Sequence, residues 1–143
     1  MKIALGADED THLVSALRLY LEEKGHQVTS FGAASGTSQP WGKTAVEVAE
    51  SVAKQQHDLG VVCCWTGTGV SIAANKVAGI RAALCADAET ARGARKWNDA
   101  NVLALSLRAT SEQVGREILD AWLDTDYTGS EDASLDVIRS REK

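Results

Sequence analysis

The sequence predicts an α/β fold, a parallel sheet with helices on both faces, and three observations predict it. Short apolar runs of five or six residues alternate with segments whose apolar residues recur every three or four positions. The connections between them are short and carry glycine or capping residues. Strands that alternate with helices in this way pair in parallel, because each helix returns the chain to the same edge of the sheet. The third observation is the junction Val61 to Lys76, an apolar β-type run that passes through a glycine-punctuated turn into a helix-forming segment.

The elements follow in order. Lys2–Gly6 reads as the first strand, and Leu13 to Lys24, with Leu13, Leu17 and Leu21 on one face, as the first helix. Gly25 stops it. Asp8 then stands at the C-terminal end of the first strand, the edge where open parallel sheets bind ligands. Asp10 or Thr11 serves equally well as a helix N-cap, and His12 and His26 read as solvated helix-end residues. His26–Phe31 is a second strand, and the polar stretch Gly32 to Gly42, with Pro40 and Trp41, a loop. Thr44 to Lys54 is helical, Val61 to Cys64 is the third strand, and a helix forms around Ser71 to Lys76. Gly79–Cys85 reads as a fourth strand, Asp87 to Trp97 as a helix, Asn101–Leu105 as a fifth strand, and Ser111 to Leu123 as a helix in which Trp122 packs inward. From Tyr127 onward the chain is a polar tail.

At the Cys64 junction the first amides of a helix have no intrahelical partner and lie at the positive end of its dipole, so an anion is favoured there. Gly67 and Gly69 let the backbone approach a ligand. Cys64 sits where the same field favours a thiolate, the form in which cysteine reacts. The loop is neither a Walker A sequence nor G-x-G-x-x-G, which argues against a nucleoside triphosphate or a dinucleotide. As packing alone, the same cysteine is a small core hydrophobe, and that is the reading for Cys63 and Cys85. Strand alternation sends Cys63 to the face opposite Cys64.

A chain of 143 residues with 44% hydrophobic residues fits one domain with one core. A net charge of −5 without a basic cluster argues against nucleic acid or an anionic membrane as partner. Three cysteines, two of them adjacent, make no disulfide framework, and the N-terminus reads as a first strand, so a cytoplasmic protein with reduced thiols is expected.

Cys64, Thr66–Gly69, Ser71-Ile-Ala-Ala-Asn-Lys76, Gly79-Ile-Arg81, Asn98-Asp99 and Asn101–Ala104 together resemble the ribose-5-phosphate isomerase B and galactose-6-phosphate isomerase family, over nearly the whole chain. The resemblance implies a Rossmann-like three-layer αβα sandwich with a five-stranded parallel sheet. It implies a homodimer or dimer of dimers with active sites at the subunit interface, a tail over about 127–143 that contacts the partner, and no metal or organic cofactor. The implied reaction is aldose–ketose interconversion through a cis-enediolate, with Cys64 as base and Thr66 as its polar neighbour. Amides from Gly67, Thr68, Gly69, Val70 and Ser71 form the anion hole, and Asp8 and Asn98 hold sugar hydroxyls.

Three departures from the family pattern shape the expected substrate. Glu9 follows Asp8 where histidine is usual, and Trp97 stands in place of the histidine that opens the sugar ring; an indole donates one hydrogen bond but shuttles no proton. In the tail, Gly129-Ser-Glu-Asp-Ala-Ser-Leu135 replaces phosphate-holding arginines, while Arg108 matches a family arginine and Arg139 and Arg141 offer substitutes. Trp41, Trp65 and Trp97 fall in expected loops around the pocket, as platforms for a sugar's CH face or as plugs. The expectation is an isomerase for a small open-chain sugar or sugar phosphate, such as a tetrose, rather than a pentose 5-phosphate. A subunit that needs a paralogous partner and a non-catalytic sugar-binding module are the alternatives.

Overall fold

The computed structural model describes residues 1–142. The elements run β1 (Lys2–Ala7), α1 (His12–Glu23), β2 (Gln27–Gly32), α2 (Trp41–Ala53), β3 (Leu59–Cys64), α3 (Thr68–Ala74), β4 (Ala82–Leu84), α4 (Ala88–Asn98), β5 (Val102–Ser106), α5 (Glu112–Asp124) and α6 (Asp132–Ser140). The five strands form one parallel sheet in the order β2-β1-β3-β5-β4. This is the predicted Rossmann-like sandwich.

Alternation along the strands divides the core into two layers. Ile3, Leu5, Val61, Cys63, Leu103 and Leu105 pack beneath α1, α4 and α5, with Trp122 buried among them. Ala4, Val62, Cys64, Val102 and Ala104 pack against α2 and α3. Cys63 and Cys64 therefore face opposite layers, as the period of two requires.

The strand order reverses between β1 and β3. Connections from these neighbours depart in opposite directions, which leaves a crevice at their C-terminal ends. Ala7 pairs with Cys63, so the next residues, Asp8 and Cys64, stand side by side at that crevice.

Capping agrees with the sequence where a side chain decides it: Thr11 accepts from the Val14 amide at 3.3 Å. Four boundaries differ. Pro40 is the N-cap of α2, so Trp41 opens a helix and leaves the expected loop; a φ of −56° is already helical, and the amide that proline lacks is not needed there. α3 begins at Thr68. β4 is cut to three residues, because Gly79 has φ +86° and the Asn101 side chain holds both the Arg81 amide and the Gly79 carbonyl. The tail contains α6, anchored by the buried Leu135 and by Glu142, which accepts from the Gly79 amide at 2.7 Å. Lys143, the last residue of that tail, lies outside the described residues. Among these, no helix is long and apolar enough to cross a membrane.

The exposed edge of β4 is closed by one side chain. Asn75 accepts from the Ala82 amide at 2.8 Å and donates to the Ala82 carbonyl at 3.0 Å, imitating a neighbouring strand. Edge groups satisfied in this way are poor templates for another chain.

Candidate active site

A cleft of about 300 Å³ opens at the crevice, lined by Asp8, Trp41, Cys64, Trp65, Thr66, Thr68 and Gly69. Cys64 ends β3 and, although only 5% exposed, lines the cleft. Cys63 is wholly enclosed, and burial pushes its thiol up to about 12; burial likewise holds Cys85 at about 11. Those two stay protonated core thiols, as expected. Asp8 is raised above the usual carboxylate range, first by burial and then by the negative charge of Glu9, against a lowering backbone hydrogen bond. Glu9 itself is exposed and does not line the cleft.

The loop after Cys64 turns through Gly67, the N-cap of α3, at φ +77°. A Cβ there would lie 2.6 Å from Leu84 Cδ1 and 2.9 Å from the Leu105 carbonyl carbon, so the position admits glycine alone. The amides of Thr68, Gly69 and Val70 begin the helix and by position lack intrahelical acceptors. The Ser71 amide, expected in the same set, donates to the Gly67 carbonyl at 3.3 Å and is taken. Val70 contributes only its backbone, since its side chain is buried. The Thr66 and Thr68 hydroxyls are paired at 2.8 Å.

Arg108 lies in an adjoining groove of about 250 Å³ that shares Thr66 with the cleft and includes Ser106 and Thr110. The Trp65 carbonyl accepts from both Ser106 Oγ (2.9 Å) and the Arg108 amide (3.0 Å), which ties the two spaces together.

The tryptophans separate. Trp41 and Trp65 wall the cleft while remaining 48% and 60% exposed, so neither plugs it. Trp97 is in the last turn of α4, not in a loop, with its ring over Gly93 and the Lys96 ammonium 5.7 Å from its centroid. Neither Trp97 nor Asn98 lines the Cys64 cleft. Asn98 borders a groove of about 470 Å³ with Asn75, Arg81, Ile138 and Arg141.

That groove contains a cluster whose role residue types alone do not reveal. Arg81 Nε donates to the Asp99 carbonyl at 2.7 Å, and Arg81 Nη2 lies 3.4 Å from the Asp99 carboxylate. Asp99 holds φ +47°, the left-handed turn that ends α4 just after Asn98. The run Gly79-Ile-Arg81 was the signal for this latch, visible only as part of the family pattern. Among the described residues no group of three or more His, Cys, Asp or Glu side chains is placed to hold a metal ion.

A model of the ribose/galactose isomerase family matches residues 3–138. The chain belongs to that family. D-erythrulose-4-phosphate isomerase from Pectobacterium atrosepticum is 38% identical over 131 residues, covering 90% of this chain and 86% of that protein. Galactose-6-phosphate isomerase subunit LacB from Clostridium acetobutylicum is 42% identical over 134 residues, covering 89% and 74%. The solved structure of ribose-5-phosphate isomerase B from Clostridium thermocellum superposes with a TM-score of 0.93 at 37% identity, over 98% of this chain and 96% of that one. This family member is a sugar-phosphate isomerase, an aldose–ketose isomerase of the ribose-5-phosphate isomerase B type.

Proposed function

We propose that the protein interconverts a short, open-chain aldose phosphate and its ketose without a cofactor, the best candidate being a tetrose 4-phosphate. The observation that carries this reading is the juxtaposition of Cys64, Asp8 and the Thr68–Val70 amides in one cleft. Cys64 Sγ, as thiolate, removes the proton from the carbon beside the carbonyl. The C–H electron pair becomes the enediolate double bond, and the carbonyl π pair moves onto oxygen, where the free amides meet the developing charge. The thiol then returns the proton to the neighbouring carbon, while the hydroxyl proton passes from the second oxygen to the first, which leaves the new carbonyl on the second carbon and a hydroxyl on the first. Asp8 holds a substrate hydroxyl, and the hydroxyl of Thr66 orients toward the reacting end. Arg108, one groove away through Thr66, faces the phosphate.

Chain length follows from what Trp97 lacks. An indole cannot carry a proton to a ring oxygen, so a substrate that must be opened is poorly served. A tetrose 4-phosphate has its only hydroxyl capable of closing a five-membered ring esterified, and remains open. The D-erythrulose-4-phosphate isomerase relative supports this size class.

Trp97 and Asn98, remote from Cys64 in their own chain, reach the cleft of a second subunit in this reading, and the tail over about 127–143 contributes to the same interface. A homodimer or dimer of dimers satisfies that requirement. The LacB-subunit relative favours one further arrangement, in which a paralogous chain supplies the partner. Three unpaired cysteines suit the reducing cytoplasm.

The test is deuterium entry at the carbon next to the carbonyl, followed by NMR in D₂O with tetrose, pentose and hexose phosphates and the free sugars. Exchange is expected to be fastest with the tetrose phosphate and to fall about 10³-fold in Cys64→Ala. Undiminished exchange in that variant removes Cys64 as base, and ribose 5-phosphate turnover equal to that of the tetrose removes the chain-length assignment. Activity appearing only with a co-expressed relative selects the heteromer.

A further inference from the structure

Trp41 and Gly69 form a contact that the reaction chemistry does not require. A Cβ at Gly69 would sit 3.0 Å from Trp41 Cζ3 and 3.1 Å from Cε3 and Cη2, so the indole rests directly on the backbone of the anion-binding loop. The residue is nevertheless 48% exposed and lines the cleft. The backbone that carries it is held in place. Pro40 sets the backbone entering α2, the Thr44 amide donates to the Pro40 carbonyl at 3.2 Å, and Gln39 Nε2 donates to Thr44 Oγ1 at 2.9 Å and to Glu47 Oε1 at 2.5 Å. At the other side, the Trp65 carbonyl is held by Ser106 and Arg108.

We infer that Trp41, seated on Gly69, is the specificity-determining residue that limits how many carbons the cleft accepts. The deduction rests on the proposed isomerase reading for its orientation of substrate. With the carbonyl oxygen at the Thr68–Val70 amides and the phosphate at Arg108, Trp41 closes the carbonyl end and Arg108 marks the far end. The carbon chain spans from one to the other past Cys64 and Thr66. Each added hydroxymethylene must then press the indole toward the Gly69 backbone that lies against its other side, and a wall with backbone behind it discriminates where an unbacked one adapts. The ligand class selected is a four-carbon acyclic sugar phosphate.

The experiment measures binding and turnover side by side. Dissociation constants of the three-, four- and five-carbon aldonohydroxamate phosphates, whose hydroxamate nitrogen stands in for one carbon so that they are planar mimics of the four-, five- and six-carbon enediolates, are determined by calorimetry for the wild type, Trp41→Phe and Trp41→Ala, with melting temperatures as the folding control. The wild type is expected to prefer the mimic of the four-carbon enediolate over that of the five-carbon enediolate by about tenfold or more. The preference should shrink in Trp41→Phe and approach unity in Trp41→Ala, through tighter binding of the longer ligands. A uniform loss of affinity for all three lengths, an unchanged ratio, or no binding to the wild type overturns the inference. A ratio that moves as expected in a protein showing no deuterium exchange with any sugar sustains the length limit and removes the isomerase chemistry instead.

Discussion

The Cys64 cleft and the Asn98 groove are built from the same family motifs but treat their polar groups in opposite ways. In the cleft, the first amides of α3 lack intrahelical acceptors, and Asp8 keeps a carboxylate that burial disfavours. In the groove, Arg81 reaches Asp99 through carbonyl and carboxylate, and Asn101 bridges Arg81 to Gly79. Unsatisfied groups cost stability and are available to a ligand; satisfied groups hold the backbone and are not. One space therefore leaves polar groups free for a ligand, and the other fixes the end of α4 on which Asn98 stands.

Variants can break or sharpen this contrast. The largest effect on stability is expected at the hinge of the cleft: Gly67→Ala should cost about 3 kcal/mol, from its positive φ and the close Leu84 and Leu105 atoms. Urea unfolding measures it, and a loss within experimental error would show that the loop tolerates another turn. Arg81→Ala should cost about 2 kcal/mol by releasing Asp99, and Arg81→Lys should recover little, since one ammonium does not reproduce the forked contact. If the latch positions Asn98, deuterium exchange falls in both variants with KM rising more than kcat; equal loss of stability with unchanged kinetics would confine Arg81 to the scaffold.

Asp8→Asn should behave in the opposite sense to Arg81→Ala, losing about a hundredfold in exchange rate while gaining stability at neutral pH. The sign follows from linkage. The folded pKa of Asp8 lies above its unfolded value near 3.8, so ionisation penalises the folded state. That penalty is absent below the unfolded pKa and sets in fully as pH rises through the folded one. The melting-temperature advantage of Asp8→Asn should thus grow as pH rises above the unfolded pKa and vanish toward lower pH; an advantage independent of pH contradicts the electrostatic cause. The smallest change is expected from Glu9→Gln, which removes the like charge beside Asp8 and should move the acid limb of the exchange-rate profile to lower pH. A limb displaced upward would reverse the assigned influence of Glu9.

Much of this was legible from local pattern. The leucine spacing of α1, the Thr11 cap, the alternation of Cys63 and Cys64, and the strand–turn–helix around Gly67 each depend on neighbours within a few residues, where backbone geometry determines side-chain direction. Pro40 is less legible because proline reads as a breaker unless its place at a helix start is recognised, and the sequence then puts Trp41 in a loop rather than at the start of α2. α6 is not legible because a single buried leucine, Leu135, anchors a mostly polar helix. The shortness of β4 was hidden because Asn75 and Asn101, distant in sequence, take hydrogen bonds that a strand ladder would otherwise make.

The sequence by itself determined the α/β alternation, the family, and the residue types offered to a ligand at Asp8 and at Cys64 through Gly69, because each is written in contiguous residues. Only the tertiary structure decided which of them meet. The reversal of strand order between β1 and β3 brings Asp8 beside Cys64 across more than fifty residues of chain. The packing of α2 against α3 seats Trp41 on Gly69, and the end of α4 carries Asn98 into a different groove. These are long-range distances, set by how the sheet is threaded and by which helices cover it, and no local pattern encodes them.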